Sequence, residues 1–433
     1  MKTITQMGTN LLELLTIRSE HIGKATGLIE RQRKFRASSL LQTLVIGFQC
    51  NPAASYTDLA ISAASVGVEV SPQAIEQRFT EKTAAFLKAM VAESMRMTIE
   101  QQQAESVNLL ARFAGVYLQD STVITLPSEL STLWEGCGGT NGQAAAVKLQ
   151  TQWEYKSGEL VGLTMQNAKE QDQASPYQKS EMPRGALRIE DLGYFSLARL
   201  KTDSEKGIFW ISRLKTGTKT YTENGTELDL VAQLQTCTAE QLNLNVYLGI
   251  KKEVFCRLLI KRAPAHVAAE RLRKLRHKMQ KQGRSVSKRQ QVMAQWTLLI
   301  TNVPEASLSF EAVFQVYRVR WQIELLFKLW KSYFKLDTWR SQNKWRILCE
   351  FYAKLIGAII SQWMFTLLKN IPQRSFFKAA FVVRHYAILI AFCLRDRTLL
   401  STAISQMNSC FTKACRTNSR ARKPATYQTL ATP

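Results

Sequence analysis

The order of strands between Ala114 and Lys215 restricts the fold more than any other feature of this sequence. AGVYLQDSTVITLP alternates apolar and polar residues as a strand, with Asp120 near its expected end. AVKLQTQWEYKSGELVGLTMQNA reads as a hairpin turning at KSGE. LRIED is a strand ending at Asp191, GYFSLARLKTDSEK a helix, and GIFWISRLK, residues 207–215, a further strand. Three antiparallel-type strands followed by strand, helix, strand predict an α/β sheet. GCGGTNG, between the first strand and the hairpin, has no helix after it and no phosphate-loop Lys-Ser/Thr, so it reads as a strand connection rather than a nucleotide cradle.

The flanks differ in kind. Residues 1–110 read as helical. SPQAIEQRFTEKTAAFLKAMVAESM opens with Ser71 as N-cap and Pro72 at the first helical position. Ile75, Phe79, Ala84, Phe86 and Met90 then recur at helical spacing. With the short helix read in YTDLAISAASVGVEV and ending at Gly67, two readings stand: a DNA-reading helix-turn-helix, or plain helical packing. In residues 216–303, LNVYLGI, VFCRLLIKRA and WTLLITNV are expected as strands of a separate small sheet. Between them, residues 270–290 carry nine Lys or Arg and one acid, Glu270. Like charges at i,i+4 repel by a few tenths of a kcal/mol per pair, roughly, and a phosphate backbone relieves that repulsion, which favours DNA contact over a merely solvated helix.

Bulk charge agrees. The net charge is +24 and the pI about 9.8, which points to a polyanionic partner, and nucleic acid rather than membrane because the charge runs through a chain with 45% hydrophobic residues. The N-terminus has no long apolar stretch of a secretory signal. LIGAIISQWMFTLL, residues 355–368, is too short for a span of about 20 residues and reads as a buried or oligomer-interface helix. The eight cysteines are scattered without a CxxC pair, which fits free thiols and a cytoplasmic location.

His21, His266, His277 and His385 are dispersed, so zinc is not expected. The carboxylates are more informative. Asp120 and Asp191 each read as an aspartate closing an apolar strand, either an ordinary turn residue or a site residue. On one helix spanning residues 312–332, Tyr317, Arg320, Glu324 and Lys331 fall within an arc of roughly 60°. Val319, Ile323, Leu326 and Trp330 form a second, core-facing stripe about 115° away. An Arg320–Glu324 pair alone is the plainer reading. Two strand aspartates and a helix glutamate are also the oxygen donors that suit two Mg²⁺ ions on a phosphoryl-transfer centre.

The spacing Tyr317-x2-Arg320-x3-Glu324-x6-Lys331 resembles the YREK signature of bacterial insertion-sequence transposases of the DDE class. LQDST around Asp120 and EDLGYF around Asp191 resemble that family's two aspartate strands, and the likeness runs from about residue 40 to 370. It implies an RNase H-like α/β catalytic core interrupted by a β-rich insertion, with helical N- and C-terminal regions. It implies Asp120, Asp191 and Glu324 as catalytic metal ligands, with Mg²⁺ as cofactor and Mn²⁺ as substitute. It implies cut-and-paste transposition through a hairpin intermediate, on transposon ends and target DNA, by a homodimer in a bacterial, nucleoid-associated setting. Tyr317, Arg320, Lys331 and Arg213 would contact DNA. Trp296 would stack on a flipped base, its plainer reading being a core tryptophan at a strand start.

On this reading the chain divides into a DNA-binding helical region (1–110), a first part of the core (111–215), the insertion with its basic helix (216–303), the segment of the catalytic helix (304–345) and a helical region offering a dimer surface (346–433). Glu190 competes with Asp191 for the second carboxylate position, and strand alternation points only one of them inward. The alternatives are another RNase H-like nuclease and a catalytically silent DNA-binding derivative.

Overall fold

The computed structural model describes residues 2–28, 34–97, 108–136, 145–368 and 374–417. In chain order the helices begin with α1 (Lys2–Leu12), α2 (Ser19–Ala25), α3 (Ala37–Cys50), α4 (Tyr56–Ser65), α5 (Pro72–Glu76), α6 (Glu81–Arg96) and α7 (Asn108–Ala111). Then come β1 (Val116–Leu126), β2 (Ala145–Glu154), β3 (Glu159–Asn167), β4 (Leu187–Glu190), α8 (Leu197–Glu205), β5 (Phe209–Arg213) and β6 (Thr220–Thr222). They are followed by α9 (Leu230–Thr236), β7 (Gln241–Leu248), β8 (Val254–Arg262), α10 (Ala265–Lys281), α11 (Lys288–Ala294) and β9 (Trp296–Thr301). The last described elements are α12 (Phe310–Tyr317), α13 (Trp321–Ser332), α14 (Lys344–Phe365), α15 (Phe376–Cys393) and α16 (Arg397–Ala414). The glycine-rich loop lies, from Cys137 on, outside the described residues.

The chain forms two compact units. The first comprises Met1–Val107, Asp120–Gln171 and Trp321–Gln428, and so draws on the expected N-terminal, core and C-terminal segments alike. Its caps are written in the sequence. Ser55 and Asp58 form a reciprocal capping box on α4, and Gly67 turns the chain at φ +83°. Ser71 caps α5 as expected, but the helix foreseen beyond it is interrupted: Thr80 opens α6 with its own cap, leaving α5 five residues long.

The centre of this unit is α14. It packs on α3 and α6, and Asn343 caps it by accepting from Trp345 and Arg346 N–H. The helix through Leu368 is long and apolar enough to cross a membrane, but its hydrophobic window is 94% buried, which makes it the core helix of this unit. Its buried charges fall at i, i+4 and i+8: Arg346, Glu350 and Lys354. β2 and β3 form the expected antiparallel hairpin, with Gly158 at φ +82° in the turn, and β1 lies next to β2.

The second unit comprises Asn108–Gln119 and Asp172–Arg320. Its strands run in the order β1-β4-β5-β9-β8-β7-β6. β1, β4 and β5 are parallel, with Leu118, Ile189 and Ile211 in register across them. β5 pairs antiparallel with β9, β9 with β8, β8 with β7 and β7 with β6. The separate small sheet expected for residues 216–303 is therefore corrected: its strands extend the row begun by β1, β4 and β5. Apolar residues of these strands pack with Phe195 and Leu200 into one core that includes Trp210, Leu258, Trp296 and Ile300. The expected fold class, α/β, holds at this level.

Candidate functional site

Asp120 is not at a strand end. It is the fifth of eleven residues in β1, because Thr122, Ile124 and Leu126 continue the buried alternation beyond it. Its Oδ1 accepts the Ser121 N–H at 2.8 Å. Asp120 lines a cavity of about 610 Å³ together with Glu324, Lys331, Lys328, Lys335 and Asp337. α13 supplies Glu324 on a half-buried face beside the buried Ile323, Leu326 and Trp330. Lys331 donates from Nζ to the Val123 carbonyl at 2.9 Å, which ties the helix side chain to β1.

The first unit thus brings Asp120, Glu324 and Lys331 to one cavity. Sequence reasoning missed Lys328, Lys335 and Asp337. Lys328 was readable as the i+4 neighbour of Glu324. Lys335 and Asp337 follow the end of α13, where no periodicity points.

The single helix expected over residues 312–332 is broken. α12 ends at Tyr317, Arg318–Arg320 form a 3₁₀ turn, and α13 starts at Trp321. The Arg318 N–H bonds back to the Gln315 carbonyl, the tighter i−3 closure of a helix end. Tyr317 and Arg320 consequently belong to the second unit, and the one-helix arc does not describe the four residues.

Within the second unit, Tyr317, Arg320, Asp191 and Arg213 come together. Asp191 directly follows β4 and is half-exposed, with the Arg320 guanidinium at 3.9 Å. Burial pushes the Tyr317 phenol up to about 12, against the pull of Arg320 and Arg213, so it stays protonated. Glu190 points the other way. It is 1% exposed and ion-paired with Arg199, which with Arg188 also holds Asp203 in a buried charge network. Burial, with Arg188 alongside, drives Arg199 down to about 9, still protonated at neutral pH. Of the two adjacent acids, Asp191 is the one left facing out.

Trp296 departs from the expectation of a stacking platform. It is the first residue of β9, 2% exposed and part of the core. The Arg262 guanidinium lies 4.2 Å from its ring centroid, and Arg271 donates to its carbonyl at 3.0 Å. A base has no access to this ring while Arg262 covers it. The physical reason is position: an aromatic at the start of a strand inside a wide sheet finds apolar neighbours on one face and a cation on the other.

The basic helix is α10. Glu270 pairs with Lys274 at 3.1 Å and Arg273 at 3.7 Å. Arg276, Lys278 and Lys281 are exposed along it.

The cavity of the first unit fits a hard divalent cation in kind. Its donors are carboxylate and hydroxyl oxygens, with no thiol or imidazole. Among the described residues, no three His, Cys, Asp or Glu side chains gather into a metal cluster. Mg²⁺ accepts protein carboxylates completed by water and substrate phosphate, so the carboxylates of Asp120 and Glu324 fit such an ion in kind.

Residues 112–360 match the model of the transposase DDE domain. The transposase for insertion sequence element IS231F of Bacillus thuringiensis subsp. israelensis is 29% identical over 398 residues, covering 86% of this chain and 83% of the relative. The transposase for insertion sequence element IS1151 of Clostridium perfringens is 26% identical over 322 residues, covering 70% of this chain and 68% of the relative. Among solved structures, a piggyBac transposase synaptic complex with hairpin DNA aligns at a TM-score of 0.44 and 8% identity over 92% of this chain and 85% of that one, a likeness too loose to bear on the reaction.

Proposed function

The chain belongs to the transposase DDE domain family of bacterial insertion sequences, and on that premise we propose that it binds the terminal inverted repeats of its own element, cuts them and joins the ends to target DNA. The observation that carries the reading is the convergence of Asp120 and Glu324 with Lys328 and Lys331 on one cavity. Carboxylates among cations suit a reaction at the phosphates of a polyanion.

In this proposal Asp120 and Glu324 hold Mg²⁺, or Mn²⁺ in its place, and Asp191 joins them on the strength of its motif. When bound, the cations supply an activated water or 3′-OH nucleophile and offset charge on the leaving oxygen. The protein's own part is positional. Lys331, fixed to the β1 backbone, offers its remaining N–H donors to a phosphate. Arg320 and the protonated Tyr317 present donors beside Asp191, and Arg213 adds a cation to that group. The finer course is a nick at the element end, attack of the freed 3′-OH on the opposite strand to form a hairpin, reopening, and attack on the target. It is proposed without a stacking role for Trp296.

The strand arrangement supports an RNase H-like core: β1, β4 and β5 are parallel, and an antiparallel hairpin of β2 and β3 lies beside β1. The strands of residues 216–303 and the basic α10 would be its insertion. The helices before residue 110 are assigned to DNA, with α4 and α5 on either side of Gly67 as the reading pair. A homodimer on paired ends is proposed, with the exposed Phe381, Ile388 and Phe392 of α15 as its apolar surface. The protein would act in the cytoplasm, on the nucleoid.

The test is cleavage of a duplex carrying the inverted repeats that flank the gene. With Mg²⁺ the wild type should cut at the repeat end. Binding without any cleavage in Mg²⁺ or Mn²⁺ would favour the silent DNA-binding derivative instead.

A further inference from the structure

The end of α13 carries a lysine where a helix end of this shape ordinarily takes glycine. Lys335 has φ +54°, in the left-handed region that disfavours an L side chain. Around it the chain folds back tightly, with Leu336 N–H donating to the Trp330 carbonyl and Phe334 N–H to that of Leu329. Leu336 and Phe334 are buried, while the Lys335 side chain is exposed and lines the cavity that holds Asp120 and Glu324. Glycine would fill this backbone position without strain, and a strained residue beside a reactive cavity asks for a use of its side chain.

The backbone of Lys335 is held from beneath. Lys354 on α14, 3% exposed, donates from Nζ to the Lys335 carbonyl at 3.1 Å, the Thr338 carbonyl at 2.8 Å and Glu350 Oε1 at 2.7 Å. Two of the ammonium's three donors thereby fix this turn and the third holds Glu350. Glu350 is fixed in turn by Arg346 Nε at 3.3 Å, and Arg346 donates to the Ala54 carbonyl at 2.9 Å and lies over the rings of Phe79 and Tyr56. A buried chain of charges is costly unless each member is satisfied. Here its last member grips two carbonyls of the segment that enters the cavity.

We infer that Lys335 is a further phosphate-contacting residue of the Asp120–Glu324 cavity and that Lys354 is the positioning residue which presents it. The inference rests on the DNA-cleaving function proposed above. It assigns two separate tasks: Lys335 touches the substrate backbone, and Lys354 touches only the protein.

The experiment measures binding and cutting of the flanking-repeat duplex across a salt series by full-length wild type, Lys335→Gly, Lys335→Gln, Lys354→Met and the Lys335→Gly/Lys354→Met pair. Lys335→Gly should keep or raise the thermal midpoint, since it relieves the left-handed strain. It should still weaken binding about tenfold and lower the slope of log K against log salt by about one. Lys335→Gln should lower the slope equally. Lys354→Met should reproduce the slope change in folded protein, and the pair should lose no more affinity than Lys335→Gly alone. Wild-type affinity and slope in Lys335→Gly would overturn the phosphate contact. Multiplying losses in the pair would overturn the positioning role. If Lys354→Met does not fold, the two Lys335 variants still decide the contact. A wild type that neither binds nor cuts the duplex refutes the underlying function, a result distinct from wild-type cutting that Lys335→Gly leaves unchanged.

Discussion

Gln119 of β1 stands opposite Glu190 of β4 in parallel register, and the next residue along each chain is an aspartate, Asp120 and Asp191. Glu190 turns inward to Arg199, whereas Asp191 stands half-exposed by Arg320. Substituting the two neighbours should therefore give opposite results. Asp191→Ala should leave stability within about 0.5 kcal/mol, as for an exposed position, and lower the cutting rate by about 10²–10³-fold or more. Asp120→Ala and Glu324→Ala should do the same while duplex binding persists. Cleavage that survives any one of the three removes that residue from the reaction.

Glu190→Gln and Arg199→Met should act on folding instead. Each breaks a buried ion pair and strands the partner charge, a loss of about 3–5 kcal/mol. Urea unfolding monitored by circular dichroism reads this directly. A midpoint equal to wild type in Glu190→Gln would show that the pair contributes nothing to stability.

The difference between these acids was only half legible in the sequence. Alternation shows that Glu190 and Asp191 cannot both face inward, but not which one finds a buried arginine, since Arg199 arrives from a helix that follows. Asp120 was placed too near the strand end, although the alternation of AGVYLQDSTVITLP runs past it: Thr122, Ile124 and Leu126 carry the strand on into the core. The core stripe Val319, Ile323, Leu326 and Trp330 was readable in full, and all four are buried. The 3₁₀ turn at Arg318–Arg320 was not, because it replaces i−4 with i−3 bonding without altering the residue pattern. The strands of residues 216–303 were found, but not their pairing with β5, since strand partners far apart in sequence leave no periodic trace.

Trp296→Ala gives the next separation. A stacking tryptophan would be dispensable for the nick and needed for the hairpin. A core tryptophan 2% exposed leaves a cavity when truncated, at about 3–5 kcal/mol. We expect the nick and the hairpin to fall together, in step with a lowered thermal midpoint. Normal stability with a selective loss of hairpin product would restore the stacking role and require Arg262 to leave the ring when DNA binds.

The basic helix α10 offers a test of charge without chemistry. Arg276, Lys278 and Lys281 are exposed, and the acid nearest in sequence, Glu270, is already engaged by Lys274 and Arg273. If these cations meet DNA phosphates, replacing each by alanine should lower the salt slope of binding by about one, uniformly across duplex sequences. Stability should move by no more than about 0.5 kcal/mol, because none of the three is buried. Removing like charges should even relieve repulsion along the helix by a few tenths of a kcal/mol, roughly. Anisotropy titrations between low and physiological salt, on the flanking-repeat duplex and on a scrambled one, measure both quantities. Equal slopes in wild type and the triple variant would return α10 to an ordinary solvated helix. A loss confined to the repeat duplex would instead make it a reader of bases.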